Sequence, residues 1–233
     1  MNKGFFITGT DTGVGKTFVA AGLIRAMIYQ GLSVCPMKPA ETGCRVSKGK
    51  LVPEDTVKLM KASGADEPID LINPYRMRNP LAPSVAAEIE GIIIKKKSVL
   101  DAYKKLSNKY DIIIAEGAGG IMVPLYKKYL YLDLVRDLGL PLIIIARPGL
   151  GTINHSLLTI EAARTKDIKV LGLVFNHSEK TKTDISQKTN PEIITQIGKV
   201  PVLGIIQYMS QSDKDKSNII FRKVSTRLIH QLQ

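Results

Sequence analysis

A glycine-rich segment at residues 9–17 constrains this chain more than any other stretch. It follows a short apolar run at residues 4–8 and precedes a segment of helical periodicity at residues 17–30. Small residues between a strand and a helix let successive backbone N–H groups turn inward, and the helix N-terminus adds partial positive charge. A chance glycine-rich turn is the alternative, but Gly15-Lys16-Thr17 in this context favours a phosphate-binding loop.

Two side chains of this loop carry chemistry in the predicted site. The Lys16 ammonium group would reach the β- and γ-phosphates of a nucleotide, and the Thr17 hydroxyl would bind Mg²⁺. Five residues separate Gly9 from Gly15 here, one more than in the strict motif, and Thr10 stands at the strict position. The segment therefore indicates a variant phosphate loop, which points to a nucleotide but not to a reaction.

The rest of the chain alternates short apolar runs with segments of helical periodicity. The apolar runs are continuous in Ile, Val and Leu, as expected for parallel strands that helices cover on both faces. The sequence therefore predicts an α/β fold, a doubly wound, mainly parallel sheet flanked by helices, in one domain over residues 1–233. The predicted strands are residues 4–8, 33–37, 110–115, 141–146, 169–175 and 202–206, and the predicted helices are residues 17–30, 55–62, 83–90, 98–107, 132–138, 153–165 and 191–197.

In such sheets, ligands bind beyond the carboxyl ends of the strands. The loops after residues 8, 37, 115, 146 and 175 are all polar or glycine-rich. We therefore expect these five loops to converge on one site.

Two charged residues follow the second predicted strand. Lys38 at a strand end is suited to stabilising charge on a transferring phosphoryl group, although most lysines simply lie at the surface, and position alone leaves the two interpretations even. Asp55, just before a predicted helix, is either a helix cap or a Mg²⁺ ligand. Taken alone, it is better explained as a cap, because Asp is a preferred capping residue.

Glu116 follows the buried strand at residues 110–115 and precedes Gly117, Ala118 and Gly119. A carboxylate at the end of a hydrophobic strand is where nucleotide-binding proteins of this class carry a metal ligand or a water-orienting group. The glycines permit close approach of a ligand to the backbone. A solvated glutamate in an ordinary turn is the alternative, and the phosphate loop favours the site.

At two later strand ends the sequence is compatible with both a binding role and a purely structural role. Residues 149–155 lead into a helix whose free N–H groups could hold a carboxylate, or they form an ordinary helix start. Asn176 offers a donor and an acceptor to a nucleobase edge, but an asparagine after a strand is more often a turn residue. The three histidines are dispersed, so they indicate no metal site, and no nucleophilic triad stands out.

The formal net charge of +12 raises the question of a nucleic-acid partner. The lysine clusters, such as residues 95–97 and the pair Lys180 and Lys182, are scattered and lack interleaved aromatic residues, which favours solvated faces. No apolar run approaches the roughly 20 residues of a membrane span. The N-terminus has no room for a signal peptide, and Cys35 and Cys44 are the only cysteines, so a reducing cytoplasm is expected.

Taken in order along residues 3–206, these motifs resemble the dethiobiotin synthetase family of P-loop NTPases. The phosphate loop together with Lys38-Pro39 and residues 149–155 is the most specific part. The resemblance rests on six blocks: residues 9–17; residues 38–43; Asp55; Asn73-Pro74-Tyr75 with Pro83; residues 116–120; and residues 147–158 with Asn176.

The resemblance implies a cytoplasmic homodimer that acts in biotin synthesis and binds neither nucleic acid nor membrane. Its substrates would be 7,8-diaminononanoate, CO₂ and ATP, with Mg²⁺ as cofactor. An amine captures CO₂ as a carbamate, the γ-phosphoryl group passes to the carbamate oxygen, and the second amine closes the cyclic urea of dethiobiotin. ADP and phosphate are released. No protein nucleophile is needed, which agrees with finding none.

The resemblance also implies residue roles. The catalytic residues are Lys38 and Lys16. The Mg²⁺ ligands are Thr17, Asp55 and Glu116. The substrate-binding residues are Thr12, Thr42, Gly151, Thr152, Ile153 and Asn154, the last four supplied to the neighbouring subunit's site. The ATP-binding residues are Gly13, Val14, Gly15, Lys16, Thr17, Phe18, Glu116, Gly117, Ala118, Gly119, Asn176 and His177.

The main alternative is a partitioning ATPase of the ParA or MinD kind, which would bind DNA or membrane. Those proteins carry a second lysine early in the phosphate loop, where this chain has Thr10, Asp11 and Thr12. A non-enzymatic nucleotide switch is a further alternative, but it would have no reason to keep Lys38 and Glu116 facing one cavity.

Overall fold

A computed structural model describes residues 3–180, 184–208 and 214–232, so Lys182 of the lysine pair lies outside the described residues. The strands are β1 (Gly4–Gly9), β2 (Val34–Met37), β3 (Ala40–Glu41), β4 (Arg45–Ser47), β5 (Lys50–Val52), β6 (Tyr75–Arg76), β7 (Ile112–Gly120), β8 (Pro124–Tyr126), β9 (Tyr129–Leu130), β10 (Leu142–Ala146), β11 (Val170–Asn176) and β12 (Val202–Ile206). The helices are α1 (Lys16–Tyr29), α2 (Glu54–Ser63), α3 (Ile69–Ile72), α4 (Pro83–Ile89), α5 (Lys96–Ser107), α6 (Tyr131–Leu138), α7 (Thr152–Arg164), α8 (Ile185–Gly198) and α9 (Lys214–His230).

Six parallel strands form the central sheet in the order β12-β11-β10-β1-β7-β2. The strand that leads into the phosphate loop, β1, therefore lies inside the sheet, with β10 on one side and β7 on the other. Every residue of β1 and of β10 is buried, as the continuous apolar runs predict. The predicted α/β fold with a mainly parallel sheet is confirmed.

The two faces of the sheet are covered by different helices. Side chains alternate along β1, so Phe5 and Ile7 enter one core layer with residues of α1 and α9, whereas Phe6 enters the opposite layer. In that opposite layer Phe6 packs on Tyr131 of α6, with 6.1 Å between the ring centroids. Both faces of the sheet are therefore closed to water, and the strand ends remain as the polar edge.

The α1–α9 contact depends on a glycine. A Cβ atom on Gly22 would lie 2.3 Å from ring atoms of Phe221, so the absence of a side chain lets α9 pack closely on α1. The sequence pattern did not predict α9. It also predicted only residues 191–197 of α8, because proline is common at the first helical position, whereas Pro191 lies inside this helix.

Three two-stranded sheets, β3–β6, β4–β5 and β8–β9, lie outside the central sheet and were not predicted. Of these, β3 and β6 are parallel and join the segment after β2 to the segment after α3. No helix among the described residues is long and apolar enough to cross a bilayer.

Candidate active site

The phosphate loop joins β1 to α1 through two glycines in the left-handed region. The φ angle is 76° at Gly13 and 89° at Gly15, a conformation that side chains disfavour. Lys16 folds back over the loop, and its Nζ donates a hydrogen bond to the Asp11 carbonyl oxygen at 3.1 Å. The loop thus holds a lysine at the N-terminus of α1, the position that suits an anionic phosphate.

Lys16 lies in a desolvated position, being only 7% exposed. Burial lowers its pKa to about 8, although the nearby Glu116 carboxylate acts in the opposite direction. A bound polyphosphate would supply the negative charge that favours the protonated form. The loop therefore presents a lysine whose charge depends on what is bound.

Lys38 lies between two carboxylates. Its Nζ donates to Glu116 Oε1 at 2.5 Å and to Asp55 Oδ2 at 3.2 Å. Burial alone would lower the pKa of Lys38, but Glu116 and Asp55 outweigh it and raise the pKa. The interaction with Lys38 likewise holds the pKa of Asp55 below its usual value despite partial burial. Lys38 is therefore a fixed positive charge, in contrast to Lys16.

The oxygen atoms beside Lys38 suit Mg²⁺. Thr17 Oγ1 donates to Glu116 Oε1 at 2.8 Å, and Glu116 Oε2 is buried with no hydrogen-bond partner among the described residues. Mg²⁺ prefers such oxygen ligands and commonly takes phosphate oxygens and water besides one or two carboxylates. No group of three or more His, Cys, Asp or Glu able to hold a metal occurs in the described ranges, so the protein alone would supply only part of the coordination.

The sequence predicted that Glu116 directly follows a strand ending at residue 115. In the structure Glu116 lies within β7. The strand continues to Gly120, which pairs with Gly9 of β1, because the glycines after Glu116 allow the two backbones to stay in contact. The Glu116 carboxylate is nevertheless directed to the same place as Thr17.

Asp55 does not cap a helix, so the interpretation favoured for it in isolation is wrong. Helix α2 begins one residue earlier, at Glu54, and its N-cap is Pro53, which makes no side-chain cap bond. The helix N-terminus is bonded instead by Glu41, which accepts hydrogen bonds from the backbone N–H groups of Asp55 and Thr56. The Asp55 side chain is free to face Lys38.

A cavity of about 740 Å³ lies at the carboxyl edge of the sheet on the β7 and β2 side of β1. Both lysines and all three predicted metal ligands line it. So do most predicted residues of the phosphate loop and both predicted substrate threonines. The sequence-predicted residues of this lining are Thr12, Gly13, Gly15, Lys16, Thr17, Lys38, Thr42, Asp55, Glu116, Ala118 and Gly119.

A second cavity, of about 390 Å³, lies on the β10 and β11 side of β1 and includes Asn176, His177 and Thr152 in its lining. The sequence predicts one site for these five loops, and the structure divides their lining between two cavities. They share one edge, but β1 lies between β7 and β10, so its loop separates two cavities. An ion pair joins the two sides, with Arg147 Nη2 donating to Asp11 Oδ2 at 2.6 Å.

Asn176 contacts the phosphate loop directly. Its Nδ2 donates to the Val14 carbonyl oxygen at 2.9 Å, and a Cβ atom on Gly15 would lie 2.1 Å from Nδ2. The Asn176 side chain is 3% exposed. This bond uses the amide nitrogen, and an asparagine side chain also carries a carbonyl oxygen with which it could accept from a nucleobase. The neighbouring His177 has its pKa lowered by burial.

Several predicted site residues line neither of these two cavities. Val14 is buried in the core, Gly117 packs against the Phe6 ring, and Phe18 packs edge-on against Phe221 at 5.8 Å between ring centroids. Any contact of Val14 or Gly117 with a nucleotide would come from the main chain, whereas the Phe18 side chain is 43% exposed. Gly151, Ile153 and Asn154 also lie outside both linings, at the start of α7.

Pattern reasoning assigned no role to Glu41, Asn73 or Arg147. Glu41 lines the first cavity, and Arg147 lines the second. Glu41 and Arg147 belong to two blocks of the family resemblance, residues 38–43 and 147–158. Each block follows a predicted strand, which is the sequence feature that indicates a site residue at both positions. Asn73 was noted only as part of a block, and its partners are distant in sequence.

The comparisons with known proteins agree with this geometry. The model of a family described as an AAA domain matches residues 3–216. An ATP-dependent dethiobiotin synthetase of Thermodesulfovibrio yellowstonii is 46% identical over 93% of each chain. A protein of the same name from Methanocaldococcus jannaschii is 37% identical over 92% of this chain and 99% of its own.

Solved structures with this fold are distant in sequence. The cell-division ATPase MinD of Pyrococcus furiosus has a TM-score of 0.61 at 17% identity, over 99% of this chain and 100% of its own. The ParA protein of pNOB8, solved bound to nonspecific DNA, has a TM-score of 0.64 at 13% identity, over 100% of this chain and 99% of its own. At such identities the likeness concerns the fold alone.

Proposed function

The chain belongs to the family of ATP-dependent dethiobiotin synthetases, and on that premise we propose that it closes the ureido ring of dethiobiotin. The substrates are 7,8-diaminononanoate, CO₂ and ATP, and the chain acts as a single ligase domain over residues 1–233. The observation that carries the proposal is the cavity in which Lys16 and Lys38 converge beside Glu116.

The reaction forms and breaks bonds in three steps. One amine nitrogen of the diamine bonds to CO₂ and loses a proton, giving a carbamate. A carbamate oxygen then takes the γ-phosphoryl group, and ADP leaves. The second amine attacks the carbonyl carbon of this mixed anhydride and loses a proton, and phosphate leaves with the C–O bonding electrons. Negative charge develops on oxygen atoms in every step, so positioning and charge stabilisation account for catalysis.

The two lysines stabilise negative charge at different positions. Lys38 is held by Glu116 and Asp55 at hydrogen-bond distance, so its charge is fixed before substrate binds and costs little reorganisation. It is suited to the carbamate and the transferring phosphoryl oxygens. Lys16, at the start of α1, is suited to the β- and γ-phosphates.

Thr17, Asp55 and Glu116 would hold Mg²⁺. When bound, the ion would neutralise phosphate oxygens and orient the triphosphate. The unpartnered and buried Glu116 Oε2 supports this assignment, because a buried carboxylate oxygen without a partner is otherwise costly.

The proposed roles of the remaining site residues depend on which cavity they line. Thr12 and Thr42 would contact the diamine in the larger cavity, and Asn176 and His177 would receive the base in the smaller one. Gly151–Asn154 would serve the site of a second subunit in a homodimer. Gly151 and Asn154 are exposed and line neither cavity, which supports that arrangement, whereas Thr152 is buried and lines the smaller cavity.

A cytoplasmic location is part of the proposal. Cys35 and Cys44 are both buried and unpaired, which suits a reducing compartment.

The direct test supplies the diamine, isotopically labelled bicarbonate, Mg²⁺ and ATP, and analyses the products by mass spectrometry. We expect a labelled cyclic urea formed in step with phosphate release. Lys38→Ala is the matched variant, expected to bind ATP normally while ring closure falls by about a hundredfold or more. ATP hydrolysis without a cyclic urea would contradict the proposal.

The alternative function is a DNA- or membrane-binding ATPase. The fold shared with the MinD and ParA structures and the net charge of +12 are compatible with it. The same preparation should be assayed for ATP hydrolysis with added duplex DNA and with anionic vesicles. We expect no stimulation, because the loop carries Thr10, Asp11 and Thr12 where such ATPases carry a second lysine.

A further inference from the structure

Glu41 is a buried carboxylate that the proposed mechanism leaves without a role. It is 5% exposed and accepts four hydrogen bonds. Its Oε1 accepts from Asp55 N at 2.8 Å, and its Oε2 accepts from Thr56 N at 2.9 Å, Thr56 Oγ1 at 2.6 Å and Asn73 Nδ2 at 3.2 Å. All four partners are donors, which is the arrangement that an ionised carboxylate requires.

We propose that Glu41 is a positioning residue, which fixes the first turn of α2 so that the Asp55 carboxylate faces Lys38 and the metal site. Thr56 and Asn73 complete this cluster. The inference rests on the proposed function, because it takes Asp55 as a metal ligand, and it adds a residue that acts through Asp55 without touching the metal.

The position of Glu41 in the chain supports this role. Glu41 lies three residues after Lys38 and bonds to the helix that carries Asp55, so one short segment sets the positions of both charges. The backbone of this segment is itself fixed, since Lys38 N donates to Ile72 O at 2.8 Å and Met77 N donates to Glu41 O at 2.9 Å. The observed 3.2 Å between Lys38 Nζ and Asp55 Oδ2 is the result.

This arrangement differs from ordinary helix capping. A capping side chain normally belongs to the residue at the helix start, where Pro53 offers no such group. Here the cap comes from a buried residue 14 positions before Asp55, and Asn73 Nδ2 also donates to Thr56 Oγ1 at 2.6 Å. The presence of Asn73 in the Asn73-Pro74-Tyr75 block is thus explained, because its amide group bonds to both Glu41 and Thr56.

Glu41→Gln is the informative substitution. The shape is kept, but the new amide group must face a donor on at least one side, so the first turn of α2 loses a bond and shifts. Mn²⁺ affinity in the presence of ADP, measured by electron paramagnetic resonance, should fall by about tenfold to a hundredfold, as is usual for lost supports of metal ligands. Glu54→Gln is the matched control, since Glu54 is an exposed acid at the same helix end.

Thr56→Val separates positioning from charge. It keeps the Glu41 charge but removes the hydroxyl that bonds to Glu41 and Asn73. We expect severalfold weaker Mn²⁺ binding, with Thr159→Val in the buried part of α7 as its control. This variant also decides the matter alone if Glu41→Gln does not fold.

Two results would overturn the inference. One is Mn²⁺ affinity in Glu41→Gln equal to that of Glu54→Gln. The other is a loss in Glu41→Gln with none in Thr56→Val, which would assign the effect to charge. Failure of the proposed function would look different: the unmodified protein would bind Mn²⁺ with ADP but form no cyclic urea.

Discussion

Lys16 and Lys38 line the same cavity, but their surroundings move their pKa values in opposite directions. Lys16 is desolvated and forms no salt bridge with a residue that the structure describes, and burial lowers its pKa to about 8. Lys38 is also buried but lies within hydrogen-bond distance of two carboxylates, which raise its pKa. One lysine is thus charged before the nucleotide arrives, and the other becomes fully charged with it.

This difference predicts a pH dependence of ATP binding. A lowered pKa means that free Lys16 loses its proton as the pH rises through about 8, whereas bound phosphate would favour the protonated form. ATP affinity should therefore fall above this pH, by at most about tenfold per pH unit because one proton is taken up. Calorimetric titration in buffers of different ionisation enthalpy measures both the affinity and the proton uptake.

Lys16→Met is the control for this pH dependence. It should bind ATP weakly and show no further loss above the same pH. A decline of equal steepness in both proteins would assign the titration to another group. Lys38 cannot be that group, because its raised pKa keeps it protonated through the same range.

The sequence predicted individual site residues unevenly, for a physical reason. Lys16 and Thr17 belong to a local motif whose conformation depends on neighbouring residues. Glu41 gave no such signal, because its partners Thr56 and Asn73 are 15 and 32 residues away. A role created by distant contacts does not appear in local spacing, and Asp55 was misjudged as a cap for the same reason.

At the scale of the elements, buried strands were predicted best. The continuous apolar runs located all six strands of the central sheet, and the last one, residues 202–206, has the predicted bounds. The short pairs β3–β6, β4–β5 and β8–β9 lack such runs, because they contain two or three residues per strand. Their pairing depends on segments that the fold brings together.

The close packing of α1 on α9 predicts an unusual response to a glycine substitution. Replacing a helical glycine with alanine ordinarily stabilises a protein by about 1 kcal/mol. Gly22→Ala should instead lower the free energy of unfolding by about 1–3 kcal/mol, because the new methyl group overlaps the Phe221 ring. Urea denaturation measures the change.

A double-mutant cycle isolates the contact. Phe221→Leu offers space beside Gly22, so the double variant should be more stable than the sum of the two single changes predicts. Additive effects would mean that the methyl group introduced by Gly22→Ala is accommodated without contact with α9.

For the whole molecule, the order of the strands decides how the site is divided. Sequence patterns identified the polar edge of the sheet but not which strands are neighbours, so they did not predict that β1 divides this edge into two cavities. The start of α7 contributes only Thr152 and His155 to the smaller cavity, whereas Gly151, Ile153 and Asn154 line neither cavity. If it serves a second subunit, as proposed, each active site needs residues of two chains.

Mixing two inactive variants tests that arrangement. Lys38→Ala disables the lysine side of a site, and Asn154→Asp would repel the substrate carboxylate while leaving the N-terminus of α7 stable, since acidic groups are favourable there. In randomly mixed dimers, half contain one variant of each kind, and each of these has one intact site. Ring closure should recover to about a quarter of the unmodified rate.

The two variants must exchange subunits for the mixing experiment to be informative. Native mass spectrometry of tagged chains measures this exchange. Complete exchange without recovered activity would show that both residues serve the site of their own chain.

The tight approach of Asn176 to the phosphate loop links the evolution of two distant positions. A side chain at residue 15 would collide with the Asn176 amide, and the left-handed backbone there adds strain. A smaller residue at position 176 would open space but remove the hydrogen bond to Val14. Neither change is neutral on its own, so lineages that depart from this pair must cross a less fit intermediate or change both codons together.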